Sequence, residues 1–151
     1  MIQIVNQDIY TTLSDVLVAP IGLDGTLDHS VAELDLSLTY SDDFDLTGYI
    51  REAISRGQLV VGRSLLTQYF PVMQKRIALL PVIRNSTSQI VSLTQFLSGL
   101  WDVRAKTQYG TFSISIPLVY VVGQTSTSVL AGISSVFMGL DRDHMVLIHA
   151  K

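Results

Sequence analysis

The chain has no cysteine and little charge. Its 151 residues therefore carry no disulfide, no thiolate metal ligand and no cysteine nucleophile. Charged residues make up only 15% of the sequence, against 48% hydrophobic residues. So apolar a composition excludes a disordered tail or a solvated linker. It favours a buried sheet, and the surplus apolar surface is compatible with a homo-oligomer.

The sequence also has no basic surplus and no long apolar run. Ten Lys and Arg against thirteen Asp and Glu give a net charge of −3, which argues against nucleic-acid binding. No apolar run approaches the roughly 20 residues that span a bilayer, so no membrane segment is predicted. Met1–Ile4 lacks a charged leader region. We expect a cytoplasmic protein and a single domain over residues 1–151.

Short apolar runs alternate with amphipathic segments along the chain. This alternation predicts an α/β domain with a largely parallel sheet between helices. The predicted strands cover 1–5, 16–19, 58–63, 76–80, 111–116 and 145–148. Four helices are predicted. They cover 28–38, 46–56, a segment that is capped by residues 86–88 and continues to Trp101, and Val129–Leu140.

Parallel sheets bind ligands beyond the carboxyl ends of their strands. This rule directs attention to four segments, those that follow Val5, Ala19, Leu80 and Pro117. Candidate functional residues are expected there rather than at the opposite edge of the sheet.

Five short motifs occur along the chain at Gln7–Ile9, Asp15–Ala32, Gly57–Gly62, Leu79–Pro81 and Ser115–Pro117. Their order resembles that of the macro domain, a fold that binds ADP-ribose. Gln7–Ile9 is similar to the family's Gly-Asp-Ile, and Asp15–Ala32 aligns without gaps with its strand, Asn-Pro-x-Asn turn and glycine-rich loop. Gly57–Gly62 resembles a Gly-x-Leu-x-x-Gly motif. Leu79–Pro81 and Ser115–Pro117 resemble two strand ends of the family. The order and spacing of these motifs carry the resemblance over nearly the whole chain.

The resemblance implies a three-layer α/β/α domain with a central mixed, largely parallel sheet. It also implies a site for an ADP-ribose-related nucleotide or derivative, in which Asp8 accepts a hydrogen bond from the adenine amino group. No cofactor and no metal are expected. The implied ligand-binding residues are Asp8, Ile9, Gly22, Gly25, Thr26, Leu27, Asp28, Ser30, Val122, Gly123, Gln124, Thr125 and Ser126.

Departures from the family pattern bear on catalysis. The two asparagines of the catalytic turn fall on Ala19 and Gly22, and Asp28 and Ser30 stand where glycines are usual. Of the glycines in the second phosphate loop, only Gly123 remains. Because glycines let the backbone approach a pyrophosphate, side chains at these positions narrow the cleft. We therefore expect a non-catalytic binding module.

Two other functions stay open. A structural or interaction protein that kept the fold and lost the pocket would also use the surplus of apolar residues. An active ADP-ribosyl hydrolase would need His29 or Asp28 to replace the missing asparagine. The individual motifs have plainer interpretations as well: Asp8 as a turn carboxylate, Gly25–Ser30 as a connection, and Gly123–Ser128 as a helix cap.

Two further groups of polar residues are candidates for metal ligands. Ser41–Asp45 contains three carboxylates, but the glycine and distal glutamate of a calcium loop are missing, so a solvated turn is predicted. His29, His144 and His149 are far apart in sequence, and the last two flank a predicted strand. We expect no metal site from either group.

Overall fold

The computed structural model describes residues 1–27, 29–107, 109, 113–140 and 144–150, apart from the side chains of His29 and Ser30. Its strands are β1 (Ile2–Val5), β2 (Val16–Gly22), β3 (Leu65–Leu66), β4 (Arg76–Val82), β5 (Ser113–Pro117) and β6 (Met145–His149). Its helices are α1 (His29–Asp42), α2 (Leu46–Ser55), α3 (Leu93–Thr107) and α4 (Ser126–Val136).

The six strands form one mixed sheet in the order β1-β6-β5-β2-β4-β3. Every neighbouring pair is parallel except β3 and β4, so the predicted largely parallel sheet is confirmed. None of the helices in the described part of the chain is long and apolar enough to cross a membrane.

Strand β2 is the centre of the sheet, and all seven of its residues are buried. Successive side chains of a strand point to opposite faces, so such a strand needs cover on both. Val16 and Val18 pack into one core cluster with α3 and α4. Leu17, Ala19 and Ile21 pack into a second cluster with α1 and α2. The predicted three layers follow from this division.

The helix predicted over 46–56 is confirmed as α2, with its expected end signals. The Asp45 carboxylate accepts a hydrogen bond from the Gly48 N–H at 3.0 Å and caps the first turn. Gly57 follows the C-cap Arg56 with a φ of +67°. The Gln58 N–H bonds back to the Ala53 carbonyl at 2.8 Å, which completes a Schellman ending.

The strand predicted over 58–63 is wrong. Gly57 and Gly62 both have positive φ, and the Arg63 N–H bonds to the Val60 carbonyl, so the chain turns twice where a strand would run straight. The strand of this region is β3, which begins after Ser64 and pairs antiparallel with β4. The Asp102 carboxylate holds Ser64 through its N–H and hydroxyl.

The helix predicted to be capped by 86–88 begins later, at Leu93. The Asn85 side chain accepts hydrogen bonds from the N–H groups of Thr87 and Gln89, and Ser88 has a φ of +63°. Local side-chain bonding therefore favours a turn over a helical start. Ile90, predicted to lie on the helix, instead forms bridges to Arg84 and Val121.

Other predicted boundaries move by a few residues. Helix α1 continues past Leu38 to Asp42, and α4 begins at Ser126 and ends at Val136 rather than at Leu140. Strand β2 runs on from Ala19 to Gly22, because β4 continues beside it. The predicted helix cap Asp28 and the predicted strand residues 111 and 112 lie outside the described residues.

The turn predicted over Ser41–Asp45 is shorter in the structure, because Ser41 and Asp42 end α1 and only residues 43–45 link it to α2. The carboxylates of this segment hold the backbone. The Asp42 carboxylate accepts from the N–H groups of Val72 and Met73, and Asp45 caps α2. Asp43 has a φ of +52°, which reverses the chain between the two helices.

Helix α3 approaches the sheet at Gly99, and this contact gives a stability prediction. A Cβ at Gly99 would meet the Leu80 side chain, which is fully buried and cannot move aside. Overpacking of about 1–3 kcal/mol then outweighs a helix-propensity gain of about 1 kcal/mol. We expect Gly99→Ala to lower the free energy of unfolding in urea denaturation.

Gly132→Ala is the matched control, because it makes the same change in α4. Its Cβ would meet the half-exposed side chain of Leu97, which can shift toward solvent. This variant should keep or raise the stability of the wild type. Equal effects of the two substitutions would contradict the close approach at Gly99.

Candidate functional site

A cavity of about 480 Å³ lies at the carboxyl ends of β2 and β5. Helix α1, which follows β2, covers one face of the sheet, and α3 and α4, which follow β4 and β5, cover the other. Where the chain leaves two neighbouring strands toward opposite faces of a sheet, a crevice remains beyond the strand ends. The described wall residues are Asp8, Ile9, Tyr10, Val18, Ala19, Pro20, Val31, Glu33, Arg84, Ser88, Pro117, Leu118, Val119 and Tyr120. The volume lies in the range of about 300–1,000 Å³ that is typical of small-molecule sites.

Asp8 and Ile9 belong to the predicted site, and the structure places both in the cavity wall. Ile9 is buried against the core beneath α1, which anchors the segment that carries Asp8. The Asp8 carboxylate is exposed, and its Oδ1 accepts a hydrogen bond from the Tyr10 N–H at 2.8 Å. Its second oxygen, Oδ2, is an additional acceptor.

Arg84 supplies the positive charge among the described wall residues, where Asp8 and Glu33 are negative. One guanidinium nitrogen of Arg84 donates to the Ser88 carbonyl at 2.8 Å. This bond holds Arg84 within the turn that follows β4. A guanidinium has five N–H donors in a planar fork, which matches the geometry of phosphate oxygens.

Ile90 ties together the two loops that bound the cavity after β4 and β5. Its N–H donates to the Tyr120 carbonyl at 3.0 Å, and its carbonyl accepts from the Val122 N–H at 2.9 Å. Ile90 is itself buried and also bridges to Arg84. The loop with Arg84 and the loop with Tyr120 therefore form one connected rim.

The predicted loop Gly22–Leu27 forms a closed turn. The Gly22 N–H donates to the Thr26 carbonyl, and the Asp24 carboxylate accepts from both the N–H and the hydroxyl of Thr26. Gly25, with a φ of +86°, lies against Ile54 of α2. In the described part of the chain, this turn packs on α2 and does not line the cavity. Asp28 and the side chain of Ser30 lie outside the described residues.

The predicted segment Val122–Ser126 leads into α4 and is exposed. Gly123 has a φ of +73°, and the Gln124 N–H bonds to the Val121 carbonyl, so the chain turns into the helix. Thr125 caps α4 in a reciprocal capping box with Ser128. The cavity wall ends just before this segment, at Tyr120.

Beneath residues 6–15, which connect β1 to β2, the sheet carries buried polar groups. The His149 Nδ1 lies 3.1 Å from the Gln7 carbonyl, and the Lys75 Nζ donates to the Thr12 carbonyl at 3.1 Å. Both side chains are almost fully buried. The Ser115 hydroxyl and the His149 Nε2 are buried without a hydrogen-bond partner among the described residues.

Burial changes the protonation of these groups. It lowers the pKa of the His149 imidazole below its ordinary 6.5, and the nearby Lys75 ammonium lowers that pKa further. The Gln7 carbonyl and the Asp8 carboxylate act in the opposite direction without reversing the shift. Burial also lowers the pKa of Lys75 below its ordinary 10.5.

Several wall residues escaped prediction from the sequence: Tyr10, Val31, Glu33, Arg84, Ser88, Leu118, Val119 and Tyr120. The strand-end rule pointed at the segments after Leu80 and Pro117 but did not single out residues within them. In the described part of the chain, no three His, Asp or Glu side chains come together as a metal-binding group.

Comparison with solved structures identifies the fold. The chain is similar to the macrodomain of Thermus aquaticus DarG, with a TM-score of 0.80 and 20% identity over 100% of this chain and 99% of that one. The macrodomain of Mycobacterium tuberculosis DarG gives a TM-score of 0.77 and 17% identity over the same shares. Thermosipho africanus DarTG in complex with ADP-ribose gives 0.73 and 16%, over 99% of this chain and 42% of that one.

The chain therefore has the macrodomain fold, as the sequence motifs predicted. At the level of sequence, no protein-family model and no curated protein matches it.

The lowered pKa of Lys75 predicts a dependence of stability on alkaline pH. Between the folded pKa and 10.5 the unfolded chain binds more protons than the folded chain, so the Lys75 contribution to stability rises with pH. The slope is at most about 1.4 kcal/mol per pH unit. We expect the free energy of unfolding of the wild type to rise relative to that of Lys75→Met as the pH increases toward 10.5.

Urea denaturation of both proteins across this range measures the difference. Lys106→Met serves as the control, because Lys106 is a partly exposed lysine paired with Asp102. That variant should follow the wild-type profile. Parallel profiles of the wild type and Lys75→Met would contradict the lowered pKa of Lys75.

Proposed function

We propose that the chain is a non-catalytic macrodomain-type module that binds ADP-ribose or a related nucleotide derivative in the cavity beyond β2 and β5. The observation that carries this proposal is the position of Asp8 and Arg84 in the wall of one cavity. A carboxylate that accepts from an amine and a guanidinium that binds phosphate suit a ligand with a base and a diphosphate.

The fold supports this assignment of the cavity. The similar structure from Thermosipho africanus is a complex with ADP-ribose. In the present chain the adenine would lie near Asp8 and Tyr10, where Oδ2 accepts from the exocyclic amine while Oδ1 remains bonded to the Tyr10 N–H. The phosphates would lie nearer Arg84.

The non-catalytic part of the proposal rests on the residues beside the cavity. In the sequence resemblance, the family's catalytic asparagines fall on Ala19 and Gly22; Ala19 lies in the cavity wall and Gly22 in the closed turn. Neither side chain can position a water or a ribose hydroxyl, because neither carries a polar atom. Turnover of an ADP-ribosylated protein or nucleic acid by the purified chain would contradict this part.

Asp8→Asn tests the proposed adenine contact and leaves the local turn intact. Asn retains an Oδ1 acceptor for the Tyr10 N–H, but an amide nitrogen replaces Oδ2 and cannot accept from an amine. A hydrogen bond to a charged group contributes about 1.5–3 kcal/mol, which corresponds to roughly a 10- to 150-fold loss of affinity. Calorimetric titration with ADP-ribose measures the loss.

Asp43→Asn is the matched control, since it removes the same charge from an exposed turn between α1 and α2. It should bind like the wild type. The hypoxanthine analogue of ADP-ribose has a carbonyl in place of the amine, so it should bind Asp8→Asn better than the wild type. Equal binding of ADP-ribose to wild type and Asp8→Asn would overturn the adenine contact.

Absence of any ADP-ribose binding by the wild type would overturn the proposed function as a whole. The remaining interpretation would then be an interaction protein that kept the fold and lost the ligand. The sequence composition favours that alternative, because hydrophobic residues reach 48% of the chain.

A further inference from the structure

His149, the last residue of β6, is hydrogen-bonded to the residue before Asp8 and to Leu118 of the cavity wall. Its side chain bonds to the carbonyl of Gln7, which immediately precedes Asp8. Its main-chain carbonyl accepts from the N–H of Leu118 at 2.9 Å, and Leu118 follows β5 in the opposite wall. One buried residue therefore holds both the Asp8 segment and the start of the rim.

The Gln7 contact fixes the protonation state of the ring. A carbonyl oxygen only accepts hydrogen bonds, so the proton of the neutral imidazole must be on Nδ1. The Nε2 of this tautomer carries a lone pair and is buried without a partner among the described residues. A second proton, on Nε2, would place an unsatisfied N–H and a positive charge in the core.

Burial of the ring and the positive charge of Lys75, just before β4, oppose that second proton. The Gln7 carbonyl and the negatively charged Asp8 favour it without outweighing them. Strand β5 presents the buried Ser115 hydroxyl to the same sheet face, two residues along from the position opposite His149. The ring becomes hydrated only if residues 7–12 lift from the sheet, because they cover it.

We propose that His149 is a positioning residue that holds the Asp8 wall in place while neutral, and that its protonation releases residues 7–12 and weakens ligand binding. The weakening of ligand binding, the ligand part of the proposal, rests on the proposed function, since Asp8 is the residue displaced. The release of residues 7–12, the loop part, does not depend on any ligand. Lowered pH would thus disfavour the binding-competent cavity.

Hydrogen exchange of the ligand-free protein tests the loop part. The Thr12 N–H bonds to the Asp8 carbonyl, and the Leu118 N–H bonds to the His149 carbonyl, so their protection factors report the two walls. Each pH unit between the pKa values of the closed and open states changes the opening equilibrium by up to about tenfold. We expect protection at Thr12 to fall between pH 8.0 and pH 5.5, while protection at Leu118 and at the amides of β2 stays constant.

His149→Asn distinguishes the effect of protonating residue 149 from the effect of its hydrogen bond to Gln7. The Asn amide keeps an N–H donor near the position of Nδ1 but does not titrate. Protection in this variant should be independent of pH. His144→Asn is the control, since it removes a histidine just before β6 and should keep the wild-type profile. A pH response in His149→Asn equal to that of the wild type would overturn the proposal.

Calorimetric titration with ADP-ribose at the same two pH values tests the ligand part. The affinity of the wild type should fall with pH along with the protection of Thr12, and that of His149→Asn should not. If the affinity is independent of pH although the Thr12 amide loses protection at low pH, the ligand part is overturned. No binding at either pH, with the exchange response intact, would refute the proposed function and leave the loop coupling standing.

A second measurement covers the case in which His149→Asn does not fold. The His149 ring of the wild type can be titrated by NMR and compared with the exchange of the Thr12 amide. Protection of Thr12 should fall as the pH drops from about 6.5 toward the midpoint of the ring titration and level off below that midpoint. A protection factor that stays constant over this range would overturn the coupling.

Discussion

The burial of every residue in β2 is the constraint on which the rest of the structure depends. A strand without an exposed side chain requires a neighbour on each side and a covering layer on each face. β4 and β5 provide the neighbours, and the helices divide into pairs to provide the layers. The crevice beyond β2 is a consequence, because connections that leave toward opposite faces cannot close over the strand ends.

Only part of one face is covered by helices. α1 and α2 cover the β2 and β4 side, while residues 6–15 pass over β5 and β6 without forming a helix. A coil in this position has carbonyl groups that no helix ladder satisfies. His149 and Lys75 donate to two of them, which explains why polar side chains lie inside an otherwise apolar core. The same donors that satisfy the coil also hold Asp8 at the cavity.

The sequence predicted the sheet and the helix α2 because their signals are local. β2 is a continuous apolar run, and α2 has a capping Asp45, an apolar stripe and a terminal Gly57. The strand prediction for 58–63 is wrong because the apolar residues of this segment suit a strand, but other contacts determine its conformation. These are the turns at Gly57 and Gly62 and the hydrogen bond between Ser64 and Asp102. That bond joins residues far apart in the chain, and no local pattern reveals it.

The candidate site was predictable at the level of segments and not of side chains. Asp8 was found through a motif, and Arg84 lies in a segment that the strand-end rule identified. The contact of Arg84 with the cavity depends on the turn at Asn85, in a region where the sequence predicted the start of a helix. His149 gave no signal, because burial of a histidine at a strand end depends on the coil that covers it.

The bonds of Ile90 also determine how a molecule reaches the cavity. Because Ile90 joins the loops after β4 and β5, separating them would break two backbone hydrogen bonds and expose a buried side chain. Entry between these loops is therefore costly.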